Sequence, residues 1–387
     1  MKEFTADYVY TQDAEPIKNG TVITDDAGKI LSVSANNESL NSAVKHYHGA
    51  IVPGFVNAHC HLELSHLYQK IAQNQGLISF IKNVIALRNI DEKTQLKTAQ
   101  IADALMYQNG IVAVGDICNS NLTANIKIQS RIKYHTFVEM LGFDGSKAPQ
   151  IFENALALKT QFSGPKSIVP HAPYTVSKEL FNLLNEYCQT NPNLITIHNQ
   201  ESEQENWLYQ NKTGGFIELC QFLGINIDDF EAQNKTSFAA VLPLLSSHQK
   251  KLLVHNTFTN PADIALTQQI TNEIYWCFCP NANLYIENQL PQIPQFLDNN
   301  FRFTIGTDSL ASNQTLCMLT EMRTLLNHFT NLTFAQVLKW ATLNGAQFFG
   351  FDADIGSITV GKTPGLNLIT NFKNGNITPL SKVVKLI

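Results

Sequence analysis

Side chains able to bind a metal ion recur where short apolar runs of this chain end. Six such residues are His59, His61, His171, His198, His255 and Asp308. In a barrel of parallel strands the carboxyl ends of all strands meet at one mouth, so residues far apart in the chain can lie within a few ångströms there. The pattern therefore predicts a metal-dependent active site at such a mouth.

His59 and His61 are the first part of this pattern. Residues two apart on an extended backbone point to the same side, so two imidazoles placed this way can bind one ion from one face. A lone His-x-His pair fits surface or hydrogen-bonded histidines equally well. The apolar strand that begins at Pro53-Gly54 and leads into the pair favours metal binding.

His198 and Asp308 complete the predicted ligand set. Three neutral imidazoles and one carboxylate suit Zn²⁺ or Fe²⁺. The alternative for Asp308 is a helix N-cap, because Ser309 follows it. We favour one divalent ion, zinc with iron as the alternative, held by His59, His61, His198 and Asp308.

Acid–base residues are expected beside this ion. Glu201 lies three residues after His198, where a carboxylate can move protons between water, a ring nitrogen and a leaving group. A solvated acidic helix start is its alternative, and we assign Glu203 and Glu205 to that solvated face. His255 orients or polarises the reacting groups, with a core histidine as its alternative. The predicted catalytic residues are therefore Glu201, His255 and Asp308.

Two further residues are predicted to contact substrate. His171, in the segment His-Ala-Pro-Tyr, is expected to face the substrate, and Glu63 is a candidate contact close to the metal pair. The other histidines are assigned to structure or surface; they are residues 46, 48, 66, 135, 248 and 328.

Short apolar strands alternate with helical stretches through the middle of the chain. The helices are predicted at about 77–90, 94–109, 149–161, 177–190, 315–328 and 333–348. Such alternation indicates a parallel sheet, and about eight repeats of it indicate a closed α/β barrel of the (β/α)8 TIM type. The barrel domain is predicted to span residues 55–355.

Both ends of the chain are rich in β-forming residues. Thr21–Thr24 and Ile30–Val33 near the start are matched by Ser357–Val360 and Leu366–Ile369 near the end. We therefore predict a small β-sandwich domain formed by residues 1–54 and 356–387.

Composition restricts the partners. The chain has 387 residues, 15% of them charged, with a net charge of −5 and no cluster of basic residues. Neither a nucleic acid nor a membrane partner is expected, and a small-molecule substrate fits better. The polar start of the chain and an odd number of cysteines, seven, favour a cytoplasmic location. A homodimer is the oligomeric form that we consider.

The segment 53–61 resembles the opening metal motif of the amidohydrolase superfamily. Later segments resemble its deaminase and chlorohydrolase branch in the expected order; they are 171–174, 198–201, 253–256, 279–283 and 306–309. The resemblance implies a distorted barrel, a small β domain and hydrolase activity on carbon–nitrogen bonds. Segments 61–67, 77–81 and 307–313 are similar to aminodeoxyfutalosine deaminases, which implies release of ammonia from an adenine-type base.

The predicted function is thus metal-dependent hydrolytic deamination of an aminated purine-type base or nucleoside, with an aminodeoxyfutalosine-like substrate favoured. The alternatives are hydrolysis of an amide, a carbamate or a chloro-heterocycle at the same ion, and a barrel that binds a ligand without turnover. No lysine ends the strand at Val169-Pro170-His171, so a carbamylated-lysine bridge to a second ion is not available there. This absence favours a single ion.

Overall fold

A computed structural model describes residues 1–35, 45–268, 273–297 and 301–387. Its strands in chain order are β1 (Lys2–Val9), β2 (Ile17–Thr24), β3 (Ile30–Ala35), β4 (His46–Pro53), β5 (Phe55–Cys60), β6 (Ile111–Cys118), β7 (Lys133–Met140), β8 (Lys166–Pro170), β9 (Ile195–Asn199), β10 (Lys251–His255), β11 (Ile274–Phe278), β12 (Arg302–Ile305), β13 (Leu366–Ile369) and β14 (Val383–Lys385).

The helices connect these strands and cover the barrel. They are α1 (Gly76–Leu87), α2 (Glu92–Gln108), α3 (Ala124–Gln129), α4 (Ala148–Thr160), α5 (Lys178–Thr190), α6 (Glu203–Asn211), α7 (Gly215–Leu223), α8 (Ser237–Val241), α9 (Pro261–Thr267), α10 (Pro280–Glu287), α11 (Pro294–Leu297), α12 (Met318–His328), α13 (Phe334–Trp340) and α14 (Leu343–Phe349). A short 3₁₀ helix, Leu62–Leu67, follows β5.

Eight of the strands form two parallel sheets of four, β5-β6-β7-β8 and β9-β10-β11-β12. Hydrogen bonds join the two sheets at both seams. The His198 amide donates to the His171 carbonyl at 2.9 Å, and the amides of Thr307 and Asp308 both donate to the His59 carbonyl at 3.1 Å. The result is the predicted distorted (β/α)8 arrangement, in which every strand end reaches the same mouth.

The inside of the barrel is filled by side chains. Residues at alternate positions of the strands form one buried apolar cluster; among them are Val56, Ala58, Ala113, Ile117, Phe137, Val169, Leu252, Val254, Tyr275 and Cys277. A packed interior of this kind leaves no channel through the barrel. The mouth is therefore where we expect a ligand to bind.

The two ends of the chain share one further sheet. Its strand order is β14-β13-β4-β1-β2-β3, with β1 and β4 parallel and the other pairs antiparallel. In the described residues this is a single mixed sheet where two facing layers were expected. β4 ends at Pro53 and β5 begins at Phe55, and the division of the chain into domains stays a prediction.

Local sequence signals explain several element ends. The Ser177 hydroxyl accepts a hydrogen bond from the Leu180 amide at 3.2 Å, which makes Ser177 the N-cap of α5. The segment 357–360, in contrast, forms no strand. Gly356 and Gly361 on either side of it have φ values of 90° and 96°, which turn the backbone out of an extended path.

Candidate metal centre and active site

The predicted metal ligands come from the first, fifth and eighth barrel strands. His59 lies in β5, His198 lies in β9, and Asp308 follows β12. His61 comes directly after β5, at the start of the 3₁₀ helix. All four residues are buried, and His61 is the most exposed of them, at 9%. The mouth of the barrel thus brings together residues from both halves of the chain.

The ring nitrogens of three histidines converge on one point. Nε2 of His61 lies 3.2 Å from Nε2 of His59 and 3.2 Å from Nε2 of His198. Oδ1 of Asp308 lies 3.4 Å from Nε2 of His61 and 3.6 Å from Nε2 of His59. Ligands about 2.1 Å from a common ion lie roughly 3.0–3.5 Å from each other. The four atoms therefore fit a single divalent ion.

Hydrogen bonding and burial keep these imidazoles ready to bind an ion. Nδ1 of His198 lies 2.9 Å from the His171 carbonyl oxygen, so it donates its proton there and leaves the Nε2 lone pair for the ion. Burial lowers the pKa of His61 to about 3, so its ring is neutral at physiological pH. Neutral imidazole is the form that binds metal.

Asp308 has an unusual backbone conformation, with φ of 54°. A non-glycine residue in the left-handed region costs free energy and persists where the surroundings impose it. The amide of Asp308 bonds the His59 carbonyl, and the Ser312 hydroxyl donates to Oδ2 of the carboxylate. The next described α-helix begins only at Met318, so Asp308 is not a helix cap.

His255 joins the cluster from the end of β10. One ligand atom from each of His59, His198, His255 and Asp308 lies within 4.8 Å of the others. Nδ1 of His255 lies 2.9 Å from Oδ1 of Asn283, and the Asn283 amide nitrogen donates to the Thr257 hydroxyl at 2.8 Å. This arrangement protonates Nδ1 and leaves the Nε2 lone pair of His255 facing the mouth.

Glu201 lies beside His255, with Oε1 at 3.6 Å from Nε2 of that ring. It is 5% exposed and precedes helix α6, so it does not lie on a solvated helix start. Burial, followed by the charges of Asp308 and Glu287, raises the pKa of Glu201 well above its ordinary value. A raised pKa favours the protonated carboxyl group, which is the form that can donate a proton.

The prediction that Glu203 and Glu205 share a solvated face is wrong for Glu205. Glu203 is exposed, whereas Glu205 is fully buried. Its Oε1 accepts hydrogen bonds from the Gln200 amide at 3.1 Å and the Ser237 hydroxyl at 2.6 Å. Gln200 has φ of 45°, and Glu205 thereby stabilises the strained backbone immediately before Glu201.

The two predicted substrate contacts differ in position. His171 is half-buried at the mouth, where its ring centroid lies 4.8 Å from that of His198. Glu63 is buried and accepts hydrogen bonds from the Asn119 amide at 3.2 Å and the Ser120 hydroxyl at 3.1 Å. It lines a small cavity that includes His66, Arg88 and Gln95. Contact of either residue with substrate stays a prediction.

Three buried charged residues behind the mouth were not found from the sequence. Oε1 of Glu139 in β7 lies 3.7 Å from Nδ1 of His198, and burial raises the Glu139 pKa to about 7. Oδ1 of Asp116 accepts the Leu62 amide at 2.7 Å, and its Oδ2 lies 2.7 Å from Nζ of Lys127. Single acidic residues within apolar strands were the available signal for Glu139 and Asp116.

No helix in the described part of the chain combines the length and apolar character needed to cross a bilayer.

Comparison with known proteins agrees with this geometry. Residues 50–386 match the sequence profile of the Amidohydrolase family. A 5'-deoxyadenosine deaminase of Methanosphaera stadtmanae is 25% identical, over 91% of this chain and 84% of that protein.

Two solved structures share the fold. The crystal structure of Helicobacter pylori aminofutalosine deaminase superposes with a TM-score of 0.80, at 20% identity, over 99% of this chain and 97% of that one. An adenosine deaminase from Xanthomonas campestris with bound zinc gives a TM-score of 0.74, at 23% identity, over 98% of this chain and 86% of that one.

Proposed function

This chain belongs to the amidohydrolase family, and from that premise we propose that it is a metal-dependent hydrolytic deaminase of an aminated purine-type base or nucleoside. The observation that carries the proposal is the position of Glu201. A buried carboxyl group with a raised pKa lies next to a cluster of three imidazoles and an aspartate that fits a divalent ion. Hydrolytic removal of an amino group from a heterocycle requires both a proton donor and an activated water.

The metal would be held by His59, His61, His198 and Asp308. The donor set of imidazole nitrogens and one carboxylate oxygen suits zinc, and the zinc in the related Xanthomonas adenosine deaminase supports that choice, with iron as the alternative. We propose one ion per chain. When bound, such an ion supplies the Lewis acidity that makes water a nucleophile at neutral pH.

The residues around the ion have complementary roles. Nε2 of His255 and the Asp308 carboxylate accept the proton that the attacking water loses, since both present lone pairs to the mouth. Glu201 donates its proton to the ring nitrogen next to the attacked carbon. The proton taken from water passes to the amino nitrogen, the carbon–nitrogen bond breaks, and ammonia departs. The hydroxyl proton left on the attacked carbon returns to Glu201, which leaves the oxo base and a protonated Glu201 for the next cycle.

His171 is proposed to orient the ring. Its Nδ1 lies 2.8 Å from the Thr175 hydroxyl, which itself donates to the Ala172 carbonyl at 3.2 Å. Nδ1 of His171 is therefore protonated, and the Nε2 lone pair is available to accept a hydrogen bond from a substrate N–H or O–H. Glu63 is proposed as a more distant contact, for hydroxyl groups of a nucleoside.

The substrate class is supported by the relatives. The Methanosphaera relative is named a deaminase of 5'-deoxyadenosine, and the Helicobacter structure is named aminofutalosine deaminase. We favour an aminodeoxyfutalosine-like nucleoside, in which an adenine-type base carries the amino group. A cytoplasmic location and a homodimer are proposed with it.

The test is an ammonia-coupled assay of the purified, zinc-loaded protein. The panel contains aminodeoxyfutalosine, 5'-deoxyadenosine, adenosine, S-adenosylhomocysteine and guanine, together with a chlorotriazine and a simple carbamate. We expect ammonia from one or more of the adenine nucleosides and none from the last two. Chloride or amine release without ammonia from any nucleoside would instead indicate another hydrolysis at the same centre.

A further inference from the structure

A second cluster of metal-binding groups lies on the terminal sheet, outside the barrel. It consists of Asp7 in β1 and His46 and His48 in β4. His46 and His48 are two residues apart on one strand, so their side chains leave the same face. β1 and β4 pair in parallel, and an irregularity of register between Ala6 and Tyr8 places Asp7 opposite the two rings.

The carboxylate of Asp7 is held between the strands. Its Oδ2 accepts the Gly49 amide at 2.8 Å, which leaves Oδ1 directed at the rings. Oδ1 lies 2.9 Å from Nε2 of His46 and 3.5 Å from Nδ1 of His48. The three donor atoms all lie within 4.8 Å of one another.

Gly49 is required for this arrangement. Its φ is 142°, and a Cβ there would lie 2.2 Å from the Ile369 carbonyl oxygen of the neighbouring strand. Any other residue would displace the backbone whose amide fixes Asp7. The carboxylate is therefore positioned by the sheet, and its orientation does not depend on the ion.

The spacing matches that of ligands around one ion. Two ligands about 2.1 Å from a common centre lie roughly 3.0 Å apart in octahedral and 3.4 Å apart in tetrahedral geometry. Two neutral imidazoles and one carboxylate carry a net charge of −1, which favours a divalent cation. The His48 side chain is 91% exposed, so water can fill the remaining coordination positions.

We infer that Asp7, His46 and His48 form a second binding site for a divalent transition metal such as zinc or nickel. The chemistry is that of two imidazoles and a carboxylate on one face of the ion. An ion there links β1 to β4. Because it binds the folded sheet and not the unfolded chain, it raises the stability of the protein with increasing metal concentration.

The experiment is a calorimetric titration of the holoenzyme, already loaded with one zinc ion per chain, with Zn²⁺ alone. The unmodified protein should bind one further ion per chain. His48→Ala and Asp7→Asn should each weaken that binding by more than about tenfold, since even indirect partners of a metal contribute this much. His328→Ala, which removes another exposed histidine, should leave it unchanged.

Two results would overturn the inference. The first is that the unmodified, zinc-loaded protein binds no further zinc ion. The second is that the binding isotherm of His48→Ala coincides with the isotherm of the unmodified protein. The His48→Ala and Asp7→Asn variants should both keep full catalytic activity, because neither His48 nor Asp7 lies at the mouth of the barrel. A His61→Ala variant that still binds the surface ion separates this site from the catalytic centre.

Discussion

Oδ1 of Asn283 lies 2.9 Å from Nδ1 of His255, and this contact fixes which nitrogen of the ring carries the proton. The amide of Asn283 is itself oriented, because its nitrogen donates to the Thr257 hydroxyl at 2.8 Å. His255 has φ of 73°, so its backbone is strained as well. The ring that we propose as the acceptor of the water proton is thus held both by its contact with Asn283 and by its own backbone.

Asn283→Ala should lower kcat by about 10- to 100-fold, the usual cost of removing a group that orients a residue at a metal centre. The ring of His255 would be free to rotate or change tautomer, while the four metal ligands stay in place. Steady-state kinetics and metal content of the purified variant check this. Asn154→Ala, at an exposed position of α4, is the control and should match the unmodified protein.

Glu201→Gln should keep the ion and lose most of the turnover, by about 10²- to 10⁴-fold. Glutamine has nearly the same shape but no proton to give to the ring nitrogen. Glu203→Gln is the matched control, because Glu203 lies two residues away on the exposed side of α6. Turnover of Glu201→Gln at the level of this control would remove Glu201 from the mechanism.

His61→Ala should lose the catalytic ion and the activity together, since Nε2 of His61 is 3.2 Å from both other ring nitrogens. Treatment of the unmodified protein with a chelator should lower its melting temperature, and added zinc should restore it. The thermal transition of His61→Ala should respond much less to either treatment. Equal metal content in His61→Ala and His328→Ala would contradict the ligand assignment.

Stability should depend on pH through Glu205. Burial raises the pKa of Glu205 from 4.5 to about 8 in the folded chain. Between these two values the unfolded chain releases the proton and the folded chain keeps it, so the free energy of unfolding falls as pH rises through this range. Below about pH 4.5 Glu205 is protonated in both the folded and the unfolded chain. Its burial then costs no stability through ionisation, and the free energy of unfolding is at its highest with respect to this group.

Glu205→Gln stays neutral at every pH and should therefore gain stability over the unmodified protein as pH rises from 5 to 8, by up to a few kcal/mol. Denaturant unfolding at several pH values measures this difference. A difference that is constant with pH would show that Glu205 titrates normally in the folded chain.

Asp116→Ala should destabilise the fold by about 3–5 kcal/mol, because it leaves the buried Lys127 ammonium without its partner. The Leu62 amide, next to His61, also loses its acceptor. The double variant Asp116→Ala, Lys127→Met should recover most of the loss of stability.

The control is Asp354→Ala, which breaks the exposed pair with Lys133 and should change stability by less than about 1 kcal/mol. Comparable losses for the two single variants would contradict the argument.

The sequence predicted the barrel and the convergence of polar side chains at its mouth because both depend on local signals. Apolar runs mark the buried strands, and the polar residue that ends each run must lie at the mouth, as His198 and His255 do. The helix predicted at about 177–190 is likewise marked by a local signal, since Ser177 caps its first turn. These signals need only a few neighbouring residues to be interpreted.

The remaining features depend on partners far away in the chain. Glu205 lies in an acidic run that looks solvated, and its partner Ser237 is 32 residues further on. Lys127 in helix α3 pairs with Asp116 in β6, a contact that neither element reveals by itself. The proposed second metal site, formed by Asp7, His46 and His48, likewise depends on the register of β1 against β4, which neither strand reveals by itself.

The seam between β5 and β12 has a consequence for assembly. Asn57 and Thr307, 250 residues apart in the chain, exchange two hydrogen bonds there, and Asp308 pairs with Cys60 beside them. A growing polypeptide on the ribosome has His59 and His61 long before it has Asp308. The proposed ion can therefore be fully enclosed only after synthesis has passed the eighth strand, so we expect metal loading to be a late step in the life of each new chain.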